Sequence, residues 1–435
     1  MIEVDAVKTN TLPLTLAAVV LSLAWAGGAD WPQFRGPGGS GVADETGLPE
    51  RWSATEDVVW KTALPGPGGS SPITLGNKIL LTCYSGYGAD PDEPGNEEDL
   101  LHHVVCLDRT SGKILWNKRS RARLPEHAYD GGYVNLHGYA SGTPVTDGKA
   151  VYAFFGRSGV WAYDLDGKLL WNADVGKQTH NWGSGTSPIL AGSLVVVNAS
   201  VESTSLVALD KATGEEAWRA EGIEESWSTP GLVDLPDGKQ ELVVSMRDTV
   251  RGYDPATGEQ LWQCAGVNDY VCPMVVAHEG VVYVTGGRRP KTVAIRAGGR
   301  GDVTDTHLVW NEEVKKCSKV PSPLYHDGLL YWVSNSGIAC CIDAATGEVV
   351  YEKRLMISGE GDRTGDKVYA SLVLGDGKLY AVSRVGGTIV LSPGREFKEL
   401  ARNDLGDESV FNATPVISDG QLLLRSDRFL YCIGK

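Results

Sequence analysis

The side chains best placed for chemistry fall into two groups, both in short segments between alternating apolar runs. His137 (LHGYASGTP), His180 and Trp182 (THNWGSGTSP), Trp227 (ESWSTP) and Asp269, with neighbours Asn268 and Tyr270 (NDYVCP), each stand just ahead of a small-residue–Pro step or a Ser/Thr-Pro step. Arg157 (FFGRSG), Glu202 (ASVEST), Arg247 (SMRDT), Arg288 (GGRRPK), Arg384 (SRVGG) and Arg425 (RSDR) stand in tight hairpins, so five of six hairpins carry an arginine at a similar place. A concave site with convergent guanidinium groups and interleaved aromatic rings suits an anionic planar ligand or an acidic peptide. The competing expectation is that these arginines are solvated or pair with nearby acids.

Other chemistries fail on spacing. The eight cysteines (83, 106, 264, 272, 317, 340, 341 and 432) form no CxxC and no CxxCH, which excludes a zinc ribbon and a covalent c-type haem. Cys83 and Cys106 flank one long loop and are read either as a bridge across a hairpin or as small apolar strand residues. The acidic stretch YGADPDEPGNEEDL (87–100) cannot be an EF-hand loop, because Pro94 takes a ligand position and Leu101 stands where a bidentate Glu is required. It reads as a solvated loop, with a plug over the basic mouth as the other arrangement. GPGGSG at 36–41 matches G-x-G-x-x-G but follows no strand, so it carries no nucleotide reading. His102-His103 read as hairpin residues. No metal site is expected.

The elements that hold these residues come from a repeat. LDRTSGKILW ends at Trp116, YDLDGKLLW at Trp171, LDKATGEEAW at Trp218 and YDPATGEQLW at Trp262. Weaker copies end at Trp310, Tyr351 and Leu400, and the ends are 55, 47, 44, 48, 41 and 49 residues apart. Upstream of most copies lies a Ser/Thr-x-Pro or Thr-Pro step, an alternating strand, a turn and a second strand. Each unit therefore makes four short antiparallel strands, A to D, and a period near 45 with four strands signifies a β-propeller. The last unit lacks its outer strand, which DVVWKTALPG with Trp60 supplies from the N-terminal side, leaving no open sheet edge. The expectation is eight blades, with seven as the alternative. Asp108, Asp164, Asp210, Asp254 and Asp343 should bond turn amides two or three residues on. The terminal Trp60, Trp116, Trp171, Trp218, Trp262 and Trp310 should pack between blades.

The Leu/Tyr-Asp-x-x-Thr-Gly-x-x-x-Trp repeat resembles the tryptophan-docking motif of quinoprotein-like propellers, the PQQ-repeat superfamily, over roughly residues 52–435. The lead-in WPQFRGPGGSGV (31–42) is similar to that of exported members. The resemblance implies one of two functions. One is a BamB-like propeller that binds protein partners without a cofactor. The other is a PQQ- and calcium-dependent alcohol or sugar dehydrogenase, whose members hold Ca²⁺ and the quinone through a Glu, an Asn and an Asp, with a Trp below the ring and a vicinal disulfide above. Glu202 falls where that Glu-bearing hairpin would be, but the longer glycine- and arginine-containing segment that normally follows it is absent. Asn268-Asp269-Tyr270 resembles the Asp-bearing loop. Cys340-Cys341 lie in a strand whose alternation points them to opposite faces. These departures favour the scaffold, which needs no cofactor.

Composition sets the remaining bounds. The chain has 435 residues, 42% of them hydrophobic, enough for a large core. With 40 Lys+Arg against 55 Asp+Glu the net charge is −15, which excludes general nucleic-acid binding. Residues 12–28 are an apolar run too short to be a typical span, closed by Ala24-Trp25-Ala26, and fit a secretory signal. The expected organisation is a signal or apolar segment at 1–28, a lead-in at 29–51 and a single propeller at 52–435. The chain is then periplasmic or extracellular, anchored only if that segment is retained, with no other membrane span. It is expected to be a monomer that takes a protein partner or small anionic ligand at the channel mouth.

Overall fold

In the computed structural model, Met1 and residues 30–435 are described, apart from 270, 288–290, 315–318, 360 and 386. The predicted signal segment, Tyr270, Arg288 and Cys317 therefore lie outside the described residues.

Eight antiparallel sheets stand around a central channel. Blade 1 is representative, with strands Ile73–Leu75, Lys78–Ser85, Leu101–Asp108 and Ile114–Arg121 from the axis outward. The ring closes as the repeat predicts. Val58–Ala63 pairs with Phe429–Ile433 and becomes the outer strand of blade 8, so the first and last strands share one sheet. Blade 4 departs by one short addition, Gly301–Asp302, which runs parallel to its outer strand Gln260–Ala265. Strands B and C are packed on both faces by neighbouring blades, which is why runs such as 194–197 (LVVV) are apolar without alternation and wholly buried.

The turns behave as their sequence requires. Asp210 Oδ1 accepts the amides of Ala212 (2.9 Å) and Thr213 (3.0 Å), and Asp108, Asp164, Asp254 and Asp343 make equivalent bonds. Each turn also receives the preceding blade's tryptophan. The indole N–H groups of Trp60, Trp116, Trp171, Trp218 and Trp310 donate to the carbonyls of Arg109, Leu165, Lys211, Pro255 and Ala344 at 2.9–3.2 Å. Trp262 differs. The blade after it lacks the Asp-x-x-Thr-Gly turn, and the Trp262 indole instead donates to Glu241 of its own blade at 2.6 Å. Glu241 is buried and passes the contact on, accepting the amide of Gly298 (3.0 Å) and the guanidinium of Arg300 (3.1 Å).

Candidate functional site

A chamber of about 480 Å³ occupies the channel axis, inside the range of roughly 300–1,000 Å³ common for small-ligand sites. Its girdle comes from the small-residue–Pro steps. Ser71, Thr143, Ser187, Thr229, Ser322, Ser371 and Thr414, each two residues ahead of its strand A, line the cavity, and Cys272, four residues ahead of Val276–His278, lines it from blade 5. The hydroxyls also tie blade to blade. Ser71 N–H donates to Thr143 Oγ1, Thr143 N–H to Ser187 Oγ and Ser187 N–H to Thr229 Oγ1, at 2.9–3.0 Å. On the other side Met274, Ser322 and Ser371 amides reach Ser322, Ser371 and Thr414 hydroxyls at 2.9–3.0 Å. Blade 5 alone carries a thiol, Cys272, in this ring. From sequence the steps mark only strand starts; their recurrence two residues ahead of strand A in seven of the eight blades is the signal for a girdle.

Two segments close the ends of this space. The lead-in crosses the face of the A–B turns. Trp31 bridges Thr74 in blade 1, Pro32 O accepts Thr146 N–H in blade 2, Val42 bridges Leu374 in blade 7, and the Glu45 carboxylate accepts the amides of Asp419 and Gly420 in blade 8. Phe34, between these anchors, lines the chamber from that side. On the opposite face the long loop between blades 1 and 2 arches over the axis. Leu136 O accepts Arg384 (3.1 Å) and Asn412 (2.9 Å) from blades 7 and 8, Gly132 O accepts Arg363, and the Arg363 guanidinium lies 4.5 Å from the Tyr133 ring centre. In the acidic stretch 87–100 the side chains of Asp90, Asp92, Glu93, Glu98 and Asp99 are exposed, as a solvated loop requires. The stretch packs beside this arch through Tyr87 against Tyr129 and Tyr139, and Glu97 accepts the Glu126 amide.

Three of the residues singled out from sequence meet in the chamber: His137, Trp182 and Trp227. Tyr133, Trp182 and Trp227 form one continuous aromatic wall, with ring centres 5.1 and 5.6 Å apart. His137 is fixed between Ser141 Oγ (2.6 Å) and Trp182 O (2.7 Å), and burial lowers its pKa, so it is neutral. The far wall carries Asp366, Asn335, Lys319 and Tyr369. None of these four was anticipated, because only the folded loop paths bring them to the axis.

Among the described residues no arginine lines this chamber. Arg247 pairs with Glu224 (2.8 Å) and Glu225 (2.9 Å) on the rim. Arg384 is buried, ion-paired with Asp362 at 2.6 Å and stacked 4.1 Å from the centre of Tyr369. Arg157 donates to the carbonyls of Lys177 and Leu124, and Arg425, also buried, donates to Ser70 O. Of the arginines expected at a cationic mouth, the four that are described, Arg157, Arg247, Arg384 and Arg425, are held in ion pairs and backbone bonds, and the described chamber lining is mainly aromatic and hydroxyl groups with Lys319 and Asp366. His180 and Arg157 line a separate side crevice beneath the arch, together with Glu126. There the buried Glu202 accepts a hydrogen bond from Ser184, and desolvation raises its carboxyl to about 7. Glu126 is raised to about 8, by burial first and by Glu202 second.

The donor set that the dehydrogenase resemblance requires does not converge. Glu202 is buried in the helical turn Ser200–Ser203, off the chamber wall and bonded to Ser184 of the side crevice. Asp269, in a left-handed turn with φ 32°, is absent from the chamber wall. Cys340 and Cys341 pack in two different core clusters, on opposite faces of their strand, and Cys341 is unpaired. Cys83 and Cys106 are likewise free and in different clusters, which settles them as apolar strand residues. Among the described residues no group of three or more acidic, His or Cys side chains is arranged to hold a metal ion. The residues present do not fit a calcium–quinone site.

Fold and chamber together define an eight-bladed propeller of the PQQ-repeat kind, floored by its lead-in and arched over by one long loop. A family profile described as outer membrane protein assembly factor BamB matches residues 101–221 and 202–433, and the chain belongs to that family. BamB from Moraxella catarrhalis is similar in fold, with a TM-score of 0.58, 12% identity, and coverage of 86% of this chain and 96% of that one. The computationally designed Ika8 protein is equally similar in fold, with a TM-score of 0.58, 13% identity, and coverage of 86% and 98%. A europium-containing methanol dehydrogenase aligns with a TM-score of 0.49, 12% identity and coverage of 84% and 89%, too distant to carry an argument. No curated protein sequence matches the chain. Among the described residues no helix is long and apolar enough to cross a membrane.

Proposed function

We propose that this protein is an exported, monomeric, non-catalytic propeller that binds a partner or ligand at the arched mouth of its central chamber. The observation that carries this reading is the chamber wall itself. Tyr133, Trp182 and Trp227 present a contiguous aromatic surface next to a cavity of about 480 Å³, the combination expected of a binding site with a few orienting polar groups. Membership of the BamB family supports a binding role, and the scattered positions of Glu202, Asp269 and Cys340-Cys341 support the absence of quinone chemistry. Export rests on the apolar segment at 12–28.

A photo-cross-linking side chain tests the mouth. Placed at exposed Thr364, which lines it, the probe is expected to give a discrete adduct in the exported compartment. Placed at Lys239, in an exposed A–B turn on the opposite face, it is expected to give none. Adducts from Lys239 alone would place the interaction elsewhere.

A further inference from the structure

Blade 1 holds a side-chain arrangement that the chamber does not use. Ser85 ends strand B, His103 lies in strand C rather than in a hairpin, and Asn117 lies in strand D. The three are 18 and 14 positions apart in sequence. Cys83, two residues before Ser85, and Val105, two residues after His103, belong to the core shared with blade 8. Alternation turns Ser85 and His103 to that same face, and Asn117, the register partner of Val105, joins them there. His102 points the other way and stacks on Phe155.

The three side chains form one line of hydrogen bonds. Asn117 Oδ1 can only accept, so its 3.0 Å contact with His103 Nδ1 puts the ring proton on Nδ1. Nε2 keeps its lone pair, and the Ser85 hydroxyl donates to it at 2.8 Å. A hydroxyl bonded to a base that a third group orients is the general form of an activated nucleophile. Burial lowers the His103 pKa, Arg119 adds to that and the Asn117 bond opposes it, so the ring is neutral at pH 7 and able to take a proton.

Access runs to the hydroxyl and not to the base. His103 is only 3% exposed, whereas Ser85 is half-buried at the end of its strand. Two glycines border Ser85. Gly86 is exposed with φ 79°, and a Cβ on Gly66 would lie 3.5 Å from Ser85 Cβ, so neither position places a side chain over Oγ. Arg119, directly across the strands from His103, is exposed and favours negative charge as it develops on an attacked carbonyl oxygen.

We propose that Ser85 is a nucleophilic serine, with His103 as its base and Asn117 as a positioning residue, that takes an acyl group from an activated carboxylic ester. Ser85 Oγ bonds to the carbonyl carbon and its proton passes to His103 Nε2. The carbon–oxygen bond to the alcohol then breaks, and the alcohol leaves with that proton. The product is an acylated serine, a modification of the protein that leaves the binding reading of the chamber untouched.

The test uses a fluorophosphonate on the full chain, in which phosphorus stands for the acyl carbon and fluoride for the alcohol, with the adduct mapped by peptide mass spectrometry. An adduct on Ser85 is expected in the folded chain and none there after heat denaturation. Its rate should rise with pH and reach half its plateau below 6.5, the ordinary histidine value, because burial lowers the His103 pKa. His103→Gln should slow labelling by about a hundredfold or more. Asn117→Ala should slow it by about tenfold. Asn117→Asp should hold the rate within about threefold and move the pH midpoint up, because a carboxylate still accepts from Nδ1 and favours the imidazolium. Ser336→Ala should change nothing, since that exposed serine bonds Ser334 and no histidine. No adduct on Ser85 in the folded chain overturns the assignment. So does an adduct whose rate ignores His103→Gln and whose pH midpoint ignores Asn117→Asp. Mapping the unaltered chain needs no variant, so a variant that fails to fold leaves the test standing.

Discussion

Replacing Gly214 by alanine should strike the junction between blades 2 and 3 at one point. Gly214 has φ +75°, and a Cβ there would lie 2.6 Å from Trp171 ring carbons, about 1 Å closer than carbon atoms at optimal separation. The left-handed backbone costs about 1–2 kcal/mol for a non-glycine residue. Displacing the indole adds about 1–3 kcal/mol of overpacking. It also endangers the Trp171 N–H bond to Lys211 O, 2.9 Å long, which contributes about 1 kcal/mol. Gly214→Ala should therefore cost about 4 kcal/mol. Gly238 supplies the matched comparison, with φ +81° and nothing within 4 Å of its would-be Cβ, so Gly238→Ala carries only the backbone term of about 1–2 kcal/mol. An unfolding entropy of about 2.1 cal/mol/K per residue over roughly 400 residues makes each kcal/mol worth about 1 °C in midpoint. Differential scanning calorimetry should find the Gly214 variant about 4 °C lower and the Gly238 variant 1–2 °C lower. Equal shifts would refute the idea that the indole is pinned against its neighbour's turn.

Three other outcomes follow from the same contacts. Because burial raises the folded-state carboxyls of Glu202 to about 7 and Glu126 to about 8, their contribution is complete below the unfolded value of about 4.3 and is lost as pH rises through those values. Chemical denaturation should show stability falling between pH 5 and 8, by about 3 kcal/mol for Glu202 alone, and Glu202→Gln should flatten that slope. Arg384→Ala leaves Asp362 buried without its partner and unties Leu136; a loss of about 3–5 kcal/mol and faster proteolysis within residues 122–140 are expected. Alkylation of the denatured, unreduced chain should label at least six cysteines, since Cys83, Cys106, Cys264, Cys272, Cys341 and Cys432 are free, and fewer than six would indicate a bridge among them.

What the sequence disclosed were the interactions that repeat. An Asp, a Gly and a Trp at fixed spacing specify a turn and what docks on it, so blade number, strand order and the closure by Val58–Ala63 could all be read from periodicity. Trp262 escaped because its partner turn is missing, and the substitute contact through Glu241 has no periodic signature. The chamber was half legible: His137, Trp182 and Trp227 were placed by the loop pattern. The fate of the arginines was not, since Arg384 reaches Leu136 across 248 positions and Arg247 finds its acids in the preceding loop. The small-residue–Pro steps that mark each first strand also build the hydroxyl girdle, a role visible only once eight copies face one axis.

The most direct measurement is titration of the purified chain with PQQ, with and without Ca²⁺, read by tryptophan emission and thermal midpoint, since a ligand that binds only the native state must raise its stability. A chamber without a converging calcium donor set predicts no saturable change. Saturable, Ca²⁺-dependent binding abolished by Glu202→Ala would contradict it and make the protein a quinone enzyme.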